Sequence, residues 1–366
     1  MNEPCAFDVP DWLDPAATEL PPDEAQRFLQ WTPAGPVGHF EVRALYGSQM
    51  ARAAWEALLR LRPDERPFVL SRSGYAGMQR FGAVWLGDNT SWFEHLRMSI
   101  PMLLSMGLSG VPFVGADVGG FGHDADGELL VRWYQLGIFY PFFRNHCAMS
   151  RRAQEPWAFG ERVERCVRRL LEARYRLVPY LESLFAEHLE TGAPPLRPLS
   201  WHAPEDREAR EIDDQFFFGR DVLVAPIVER ARRRRAVYLP EGRWHPFDGG
   251  PALPGERWHT VEIGFDAVPA FVREGAILPL VEPVQHTGEL ARADVVFRCV
   301  GARATGRYRE DDGTSLGYTR GEVSEWELRF TRGELRAAAR RLGYAATGRR
   351  YFVEHDGERT PFALPR

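Results

Sequence analysis

The sequence predicts an α/β region over about the first half of the chain and an all-β region after it. Short apolar runs alternate with stretches of helical periodicity as far as residue 192, as expected for parallel β/α units. Beyond Pro194 short β-rich runs are separated by Gly, Pro and Asp, which is typical of antiparallel β-sandwiches. The 366 residues suffice for two or three globular domains.

The α/β region is predicted to begin with a loop and a helix. Residues 1–35 are rich in Pro, Asp and Glu, which indicates a long loop. Apolar residues recur at helical spacing over 41–61 and stop before Pro63. The later predicted elements are strands 66–71 and 82–86, helix 91–106, strand 111–115, helix 129–136, strand 139–143 and one long helix over 160–191.

Each predicted strand of this region ends in polar residues. These are Ser71-Arg72-Ser73, Asp88-Asn89, Asp117 and Arg144-Asn145-His146. In a (β/α)₈ barrel the catalytic side chains project from the carboxyl ends of the strands, so one cluster per strand fits that fold. Four units make only half of such a barrel, and a flat doubly wound sheet fits them as well.

The all-β region is predicted to form one or two antiparallel sandwich modules. The Thr-Gly-Ala-Pro-Pro stretch after the long helix places its boundary near residue 192. The predicted strands are 216–218, 222–227, 236–239, 276–280, 295–300 and 325–330.

The charge balance argues against several classes of protein. The net charge of −5 disfavours binding to nucleic acid or to a membrane surface through bulk positive charge. All 46 basic residues are arginine, so no P-loop or Schiff-base lysine is available. The chain has no run of about 18 apolar residues and no signal-like start.

The four cysteines predict free thiols. They lie far apart and form no C-x-x-C pair, which disfavours both a zinc site and a disulfide framework. Free thiols and the missing signal predict a cytoplasmic protein. Asp124 and Asp126 begin a pattern like a calcium loop but lack its later ligands, so no metal site is predicted.

Two carboxylates and two cations are candidate functional residues. Asp88 follows a predicted strand close to Trp85, where partial desolvation would raise the pKa of the carboxyl and suit it for general acid catalysis. The alternative is that Asp88 caps the next helix. Asp117 lies among glycines that allow a ligand to approach, or is a turn aspartate. Arg72 and His146 could bind hydroxyl groups, or are structural.

Together these motifs resemble glycoside hydrolase family 31, the α-glucosidase family. The resemblance runs in order through residues 1–4 (MNEP), 72–73 (RS), 85–90 (WLGDNT), 115–121 (GADVGGF), 140–146 (YPFFRNH), 218–226 (FGRDVLVAP) and 269–277 (PAFVREGAI). It implies hydrolysis of α-linked glucosides with retention, in carbohydrate metabolism, with no metal or organic cofactor. The implied fold is the C-terminal half of a (β/α)₈ TIM barrel over residues 1–192, a proximal β-sandwich over 193–276 and a distal β-sandwich over 277–366.

The resemblance also assigns roles to single residues. Asp88 matches the general acid/base of the family. Residues that match the −1 subsite are the sugar-binding Arg72, Asp117 and His146 and the aromatic Trp85 and Phe121.

The family's nucleophile does not occur in this sequence. It is an aspartate directly before the Met-Asn-Glu stretch, which here begins at Met1. Asp8, Asp11 and Asp14 lie in the following loop and are poor substitutes. We therefore expect a chain that lacks the nucleophile, the first four strands and an N-terminal sandwich, and that is inactive alone.

Two alternatives stay open on the sequence. The chain could be a non-catalytic carbohydrate-binding or complementing subunit that pairs with a separate N-terminal half, which would cover the exposed edge of the half-barrel. Within the enzyme class, it could act on α-xylosides or transfer glucose rather than hydrolyse.

Overall fold

A computed structural model of the protein describes residues 29–365. The loop predicted over residues 1–28, with the MNEP motif and the three aspartates after it, lies outside the described residues. The chain divides into two compact units, Met1–Trp85 and Leu86–Arg366. Each unit is described by itself.

The described part of the first unit begins with a hairpin, not with the predicted loop. Strands β1 (Leu29–Thr32) and β2 (Gly35–Gly38) are antiparallel, and Thr32 is opposite Gly35. The prediction of a loop up to residue 35 is therefore wrong from Leu29 onward. Pro33 and the positive φ of Gly35 (117°) supply the tight turn that connects the strands.

The rest of the first unit is a helix and a pair of parallel strands. Helix α1 (His39–Leu61) confirms the predicted helix, and it ends before Pro63 because a residue that precedes proline is disfavoured in helical conformation. Strands β3 (Leu70–Ser71) and β4 (Ala83–Trp85) pair in parallel.

The second unit continues the alternation of helices and strands. Its first elements are α2 (Phe93–Leu108), β5 (Val114–Gly115), β6 (Asp117–Val118), α3 (Gly127–Gly137), β7 (Arg144–Asn145), α4 (Glu161–Arg176) and α5 (Val178–Thr191). Strands β6 and β7 are parallel. The predicted parallel β/α arrangement is therefore confirmed.

Two predictions for this region are wrong in detail. The apolar run over 139–143 is not a strand, and β7 consists of the two polar residues that follow it. Phe139 and Tyr140 are fully buried directly after α3, so the run reflects burial and not strand pairing. The single long helix over 160–191 is two helices, because Pro179 in the first turn of α5 has no N–H to continue the hydrogen-bond ladder of α4.

The first all-β part contains a six-stranded antiparallel sheet and a separate two-stranded pair. The sheet has the order β13-β12-β15-β10-β9-β8, and β11 pairs with β14. A short helix, α6 (Arg207–Glu211), precedes β9. The bounds are β8 Leu196–Pro198, β9 Phe216–Phe218, β10 Val222–Val224, β11 Arg234–Leu239, β12 Arg243–Pro246, β13 Leu253–Pro254, β14 Arg257–Glu262 and β15 Ala270–Arg273.

The second all-β part has two sheets that share one core. The orders are β16-β17-β21-β22 and β18-β19-β20, and Phe297 from the first sheet packs edge-on against Tyr308 from the second. The bounds are β16 Ile277–Val281, β17 Val295–Cys299, β18 Arg303–Glu310, β19 Ser324–Thr331, β20 Glu334–Leu342, β21 Tyr351–His355 and β22 Glu358–Phe362. The prediction that β domains follow the α/β region is confirmed.

Two further sequence-based predictions concern thiols and membrane spans. Cys147, Cys166 and Cys299 are free, and Cys5 lies outside the described residues. Within residues 29–365 no helix has both the length and the apolar character that crossing a membrane requires.

Candidate active site

Asp88 lies on an exposed loop at the beginning of the second unit. The partial desolvation of its carboxyl that the sequence predicted is therefore wrong for the residues described here. The preceding Gly87 has a φ of 85°, a left-handed conformation that favours glycine and turns the chain there. The helix that follows, α2, has Trp92 at its N-cap position, and no side-chain hydrogen bond caps it. The alternative role of Asp88 as a helix cap is therefore wrong.

Asp117 and Arg144 form an ion pair across two parallel strands. They are directly opposite each other in the register of β6 and β7. The Nε and Nη2 atoms of Arg144 both donate to Oδ1 of Asp117, with an Nε–Oδ1 distance of 3.2 Å. Asp117 is fully buried in β6, and its carbonyl oxygen accepts from the amide of Gly120 at 3.1 Å, so this residue also begins the turn that follows the strand.

The environment of Asp117 pulls its pKa in both directions. Burial is the largest influence and raises the pKa of the carboxyl above its ordinary value. The hydrogen bond and charge of Arg144 oppose that rise, as does His146, whereas the negative charge of Asp88 adds to it. The Oδ2 atom of Asp117 is buried and has no hydrogen-bond partner among the described residues.

Asn89, which follows Asp88, fixes two parts of the site. Its Nδ2 atom donates to the carbonyl oxygen of Asp117 at 2.9 Å, and its Oδ1 atom accepts from the amide of Phe121 at 3.0 Å. The Asn89 carbonyl also accepts from the amides of Phe121 and Gly122, at 2.9 and 2.8 Å. The loop that carries Asp88 is thereby tied to the strand of Asp117 and to the loop of Phe121.

Phe121 and His146 are stacked. Their ring centroids are 5.4 Å apart and their planes differ by 30°. The loop that carries Phe121 turns at Gly119 and Gly120, both with a φ of 92°. A side chain at Gly120 would collide with the backbone of Ser91, so this close approach requires glycine.

Gln154 connects the backbones of the two segments that carry Phe121 and His146, and the sequence did not indicate this role. Its Nε2 atom donates to the carbonyl of Gly120 at 2.9 Å and to that of His146 at 3.3 Å. Gln154 is only 4% exposed, and its Oε1 atom is buried without a hydrogen-bond partner in the described part of the chain. A single amide in a loop belongs to no periodic pattern, so no sequence signal indicated it.

Arg72 and Trp85 lie in the first unit, at the carboxyl ends of neighbouring strands. Arg72 directly follows β3, and Trp85 is the last residue of β4. Since Ser71 pairs with Val84, the two residues are next to each other along this edge. In the second unit the structure brings together Asp117, Phe121 and His146 with the loop of Asp88. The individual sugar-binding roles stay predictions.

The acidic pair that resembled a calcium loop has another function. Asp126 caps α3, since its Oδ1 atom accepts from the amide of Leu129 at 2.8 Å, and it also pairs with Arg230. Asp124 accepts from the amide of Arg152 at 2.8 Å. These contacts identify both carboxylates as structural.

Two family models match the chain. The model described as "Glycosyl hydrolases family 31 TIM-barrel domain" matches residues 1–184, and the one described as "Glycosyl hydrolase family 31 C-terminal domain" matches residues 192–278. Together they match both the β/α region and the first all-β part, in the expected order.

The curated relatives include α-glucosidases from bacteria and animals. Alpha-glucosidase 2 of Bacillus thermoamyloliquefaciens is 39% identical over 337 residues, which make up 91% of this chain and 41% of that protein. Neutral alpha-glucosidase C of Homo sapiens is 37% identical over 325 residues, 87% of this chain and 34% of that protein. The chain therefore spans about two fifths or less of the length of these relatives.

Solved structures give the same result. A GH31 dextranase of Flavobacterium johnsoniae, complexed with glucose, superposes with a TM-score of 0.81 at 30% identity, covering 88% of this chain and 42% of that one. A GH31 alpha-xylosidase from Xanthomonas citri superposes with a TM-score of 0.83 at 29% identity, covering 92% of this chain and 38% of that one. The predicted partial TIM barrel with β domains after it is confirmed. The chain belongs to glycosyl hydrolase family 31.

Proposed function

We propose that this chain provides the general acid/base carboxyl of a retaining α-glucosidase, and that Asp88 is that residue. Asp88 donates a proton to the glycosidic oxygen as the bond to the sugar breaks. It then removes a proton from the water that hydrolyses the glycosyl–enzyme ester. The observation that supports this role most strongly is the exposed position of Asp88 beside Asn89, whose side chain holds both Asp117 and Phe121.

The groups around Asp88 suit the binding of one sugar ring. The stacked rings of Phe121 and His146 offer an apolar surface and a polar edge, as sugar rings require. The guanidinium of Arg144 pairs with the buried carboxylate of Asp117, whose Oδ2 atom is an acceptor without a hydrogen-bond partner among the described residues. Within the second unit, Asp117, Phe121 and His146 then form part of the −1 subsite.

The nucleophile comes from residues outside these 366. A retaining glycosidase needs two carboxyls about 5–5.5 Å apart, one that attacks the anomeric carbon and one that protonates the leaving oxygen. In the family that this chain resembles, the attacking aspartate directly precedes the Met-Asn-Glu stretch, and this supports the proposal. We expect the 366 residues alone to have an acid/base without an attacking group and so to leave glycosidic bonds intact.

The substrate class we propose is α-linked glucosides. The names of the curated relatives support it, since they are α-glucosidases. An α-xyloside is the second candidate, supported by the superposition on the Xanthomonas citri alpha-xylosidase. The ratio of kcat/KM for matched aryl α-glucosides and α-xylosides distinguishes the two.

The proposal is tested by comparing two lengths of the protein. The 366-residue chain and a version extended upstream through the remaining barrel strands are assayed with an aryl α-glucoside. We expect turnover by the extended protein only. Equal turnover by both lengths would refute the proposal that the nucleophile lies outside the 366 residues. Restoration of activity by a separately expressed N-terminal half would instead support a complementing subunit.

A further inference from the structure

A cleft lies where three parts of the second unit meet. It has a volume of about 620 Å³. Its walls are helix α5, the turn between β9 and β10 with Arg220 and Asp221, and the outward face of the β18-β19-β20 sheet. The Arg220-Asp221 turn belongs to the FGRD stretch, a part of the family resemblance to which the proposed chemistry gives no role.

Each acidic group that lines the cleft lies near an arginine. Each has an arginine partner: Asp221 with Arg220 at 3.2 Å, Glu187 with Arg197 at 2.8 Å and Glu327 with Arg340 at 3.7 Å. Arg197 and Asp221 are buried, so the first two pairs are part of the framework and do not offer free charge to a ligand. The third pair is exposed.

The uncompensated charge in the cleft is positive. Arg329 on β19 is directly opposite Arg336 on β20, and both line the cleft. Like charges directly opposite each other on adjacent strands destabilise a sheet. Arg336 has Glu334 as an exposed partner at 3.1 Å, whereas Arg329 forms no ion pair with any residue that the structure describes. An oxyanion between the two guanidinium groups would relieve this repulsion.

The remaining lining suits a sugar. Thr305 is opposite Arg329 in the register of β18 and β19, and Ser183 and Thr191 line the cleft from α5. The hydroxyls of Ser183 and Thr191 already donate to helix carbonyls, at 2.9 and 2.7 Å, so they offer acceptor oxygens to a ligand. The Thr305 hydroxyl can accept or donate. The volume falls within the range of about 300–1,000 Å³ that is typical of small-molecule sites.

We propose that this cleft binds a monosaccharide-sized ligand with an oxyanion, such as a sugar phosphate or a sugar carboxylate. The oxyanion lies between Arg329 and Arg336, and the sugar hydroxyls contact the polar side chains of α5 and β18. This site is additional to the proposed glycosidase function, and its occupancy is measured without any assay of activity.

The test is isothermal titration calorimetry of the 366-residue chain at low ionic strength. The ligands are glucose 6-phosphate, glucuronate, glucose and inorganic phosphate. We expect saturable binding of one molecule of glucose 6-phosphate or glucuronate, with glucose and inorganic phosphate bound at least tenfold more weakly. The tighter of the first two identifies the oxyanion.

Variants locate the binding in the cleft. The Arg329→Ala/Arg336→Ala double variant is expected to weaken binding at least tenfold. The Arg329→Lys/Arg336→Lys double variant keeps the charge but not the planar guanidinium, so it should weaken binding by a smaller factor. The matched control is Arg303→Ala/Arg341→Ala, which removes two exposed arginines of the same sheet that lie outside the cleft. Near-UV circular dichroism verifies that each variant is folded.

Three results would overturn the proposal. These are equal weakening by the cleft and control variants, binding of glucose or inorganic phosphate as tight as that of the charged sugars, and no saturable binding by the folded chain.

Discussion

Arg144 donates two hydrogen bonds to a single oxygen of Asp117, while the other oxygen of the same carboxylate is buried without a hydrogen-bond partner among residues 29–365. The pair joins the ends of β6 and β7. Asp117 lies in β6 and His146 directly follows β7, so this ion pair connects the two strands that position these candidate site residues.

Removal of one partner of this pair should be strongly destabilising. We expect Arg144→Met to lower the free energy of unfolding by about 3 kcal/mol, because it leaves a buried carboxylate without its counter-charge. The double variant Asp117→Asn/Arg144→Met should recover part of that loss, since an amide carries no charge to desolvate. Urea denaturation of the unaltered protein, of the single variants Asp117→Asn and Arg144→Met and of the double variant measures the coupling. Additive losses would mean that the pair does not act as a unit.

Gln154 is predicted to hold the Phe121 and His146 loops together. Gln154→Leu removes the side-chain amide that donates to the carbonyls of Gly120 and His146. We therefore expect the free energy of unfolding to fall by about 1–3 kcal/mol. Amide hydrogen exchange over residues 119–123 and 145–148 should become faster than in the rest of the unit. Gln285→Leu, at an exposed position, is the control and should leave exchange unchanged. Unchanged exchange in the Gln154 variant would exclude the clamping role.

His202 should make the protein less stable in acid. Burial, together with the positive charges of Arg197 and Arg273, lowers the pKa of its imidazole from 6.5 to about 4. Between these values the unfolded chain binds a proton that the folded chain does not, so stability falls as the pH is lowered through this window. The slope contributed by one such group is at most about 1.4 kcal/mol per pH unit.

The measurement compares the pH dependence of the free energy of unfolding between His202→Gln and the unaltered protein. The raised pKa values of Asp117 and Asp221 give a slope of opposite sign, so only the difference isolates His202. We expect His202→Gln to flatten the acid decline between pH 6.5 and 4. The exposed His286→Gln should leave it unchanged. Parallel stability curves for all three proteins would contradict the assignment.

A buried carboxylate also stabilises the second all-β part. The Oε2 atom of Glu310 accepts from Tyr308 at 2.8 Å, from Tyr351 at 3.0 Å and from Arg349 at 3.1 Å. Since Glu310 is 3% exposed, Glu310→Gln leaves the Arg349 charge unpaired and should cost about 3 kcal/mol. Differential scanning calorimetry would detect this as a lower Tm. The exposed Glu358→Gln should change stability by less than about 0.5 kcal/mol.

The order of the helices and strands could be predicted because the hydrophobic periodicity of each element can be seen in a single sequence. Helix α1 has apolar residues at helical spacing and ends before Pro63, and both signals are local. The split between α4 and α5 was predictable in principle, since Pro179 is visible in the sequence. The run over 139–143 was not, because a short apolar run is the same for a strand and for a buried connection.

Residues of the candidate site could be predicted only where they occur in short sequence motifs. Asp88 and Asp117 stand in glycine-rich stretches after strands, which is a local pattern. The pairing of Asp117 with Arg144 depends on the parallel register of two strands that are 27 residues apart, and sequence alone does not fix that register. The contacts of Asn89 and Gln154 depend on loop conformation, and neither residue type indicates it.

The central claim, that Asp88 is the general acid/base, is tested most directly by the Asp88→Asn variant of the upstream-extended protein with aryl α-glucosides of increasing leaving-group acidity. A good leaving group needs no proton from the enzyme. The first, bond-breaking step should therefore be slowed by about 100-fold or more for poor leaving groups and little for the best one. Added azide, which attacks the glycosyl–enzyme ester without a base, should restore turnover of the best substrate. An equal loss for all leaving groups, with no rescue by azide, would contradict the account.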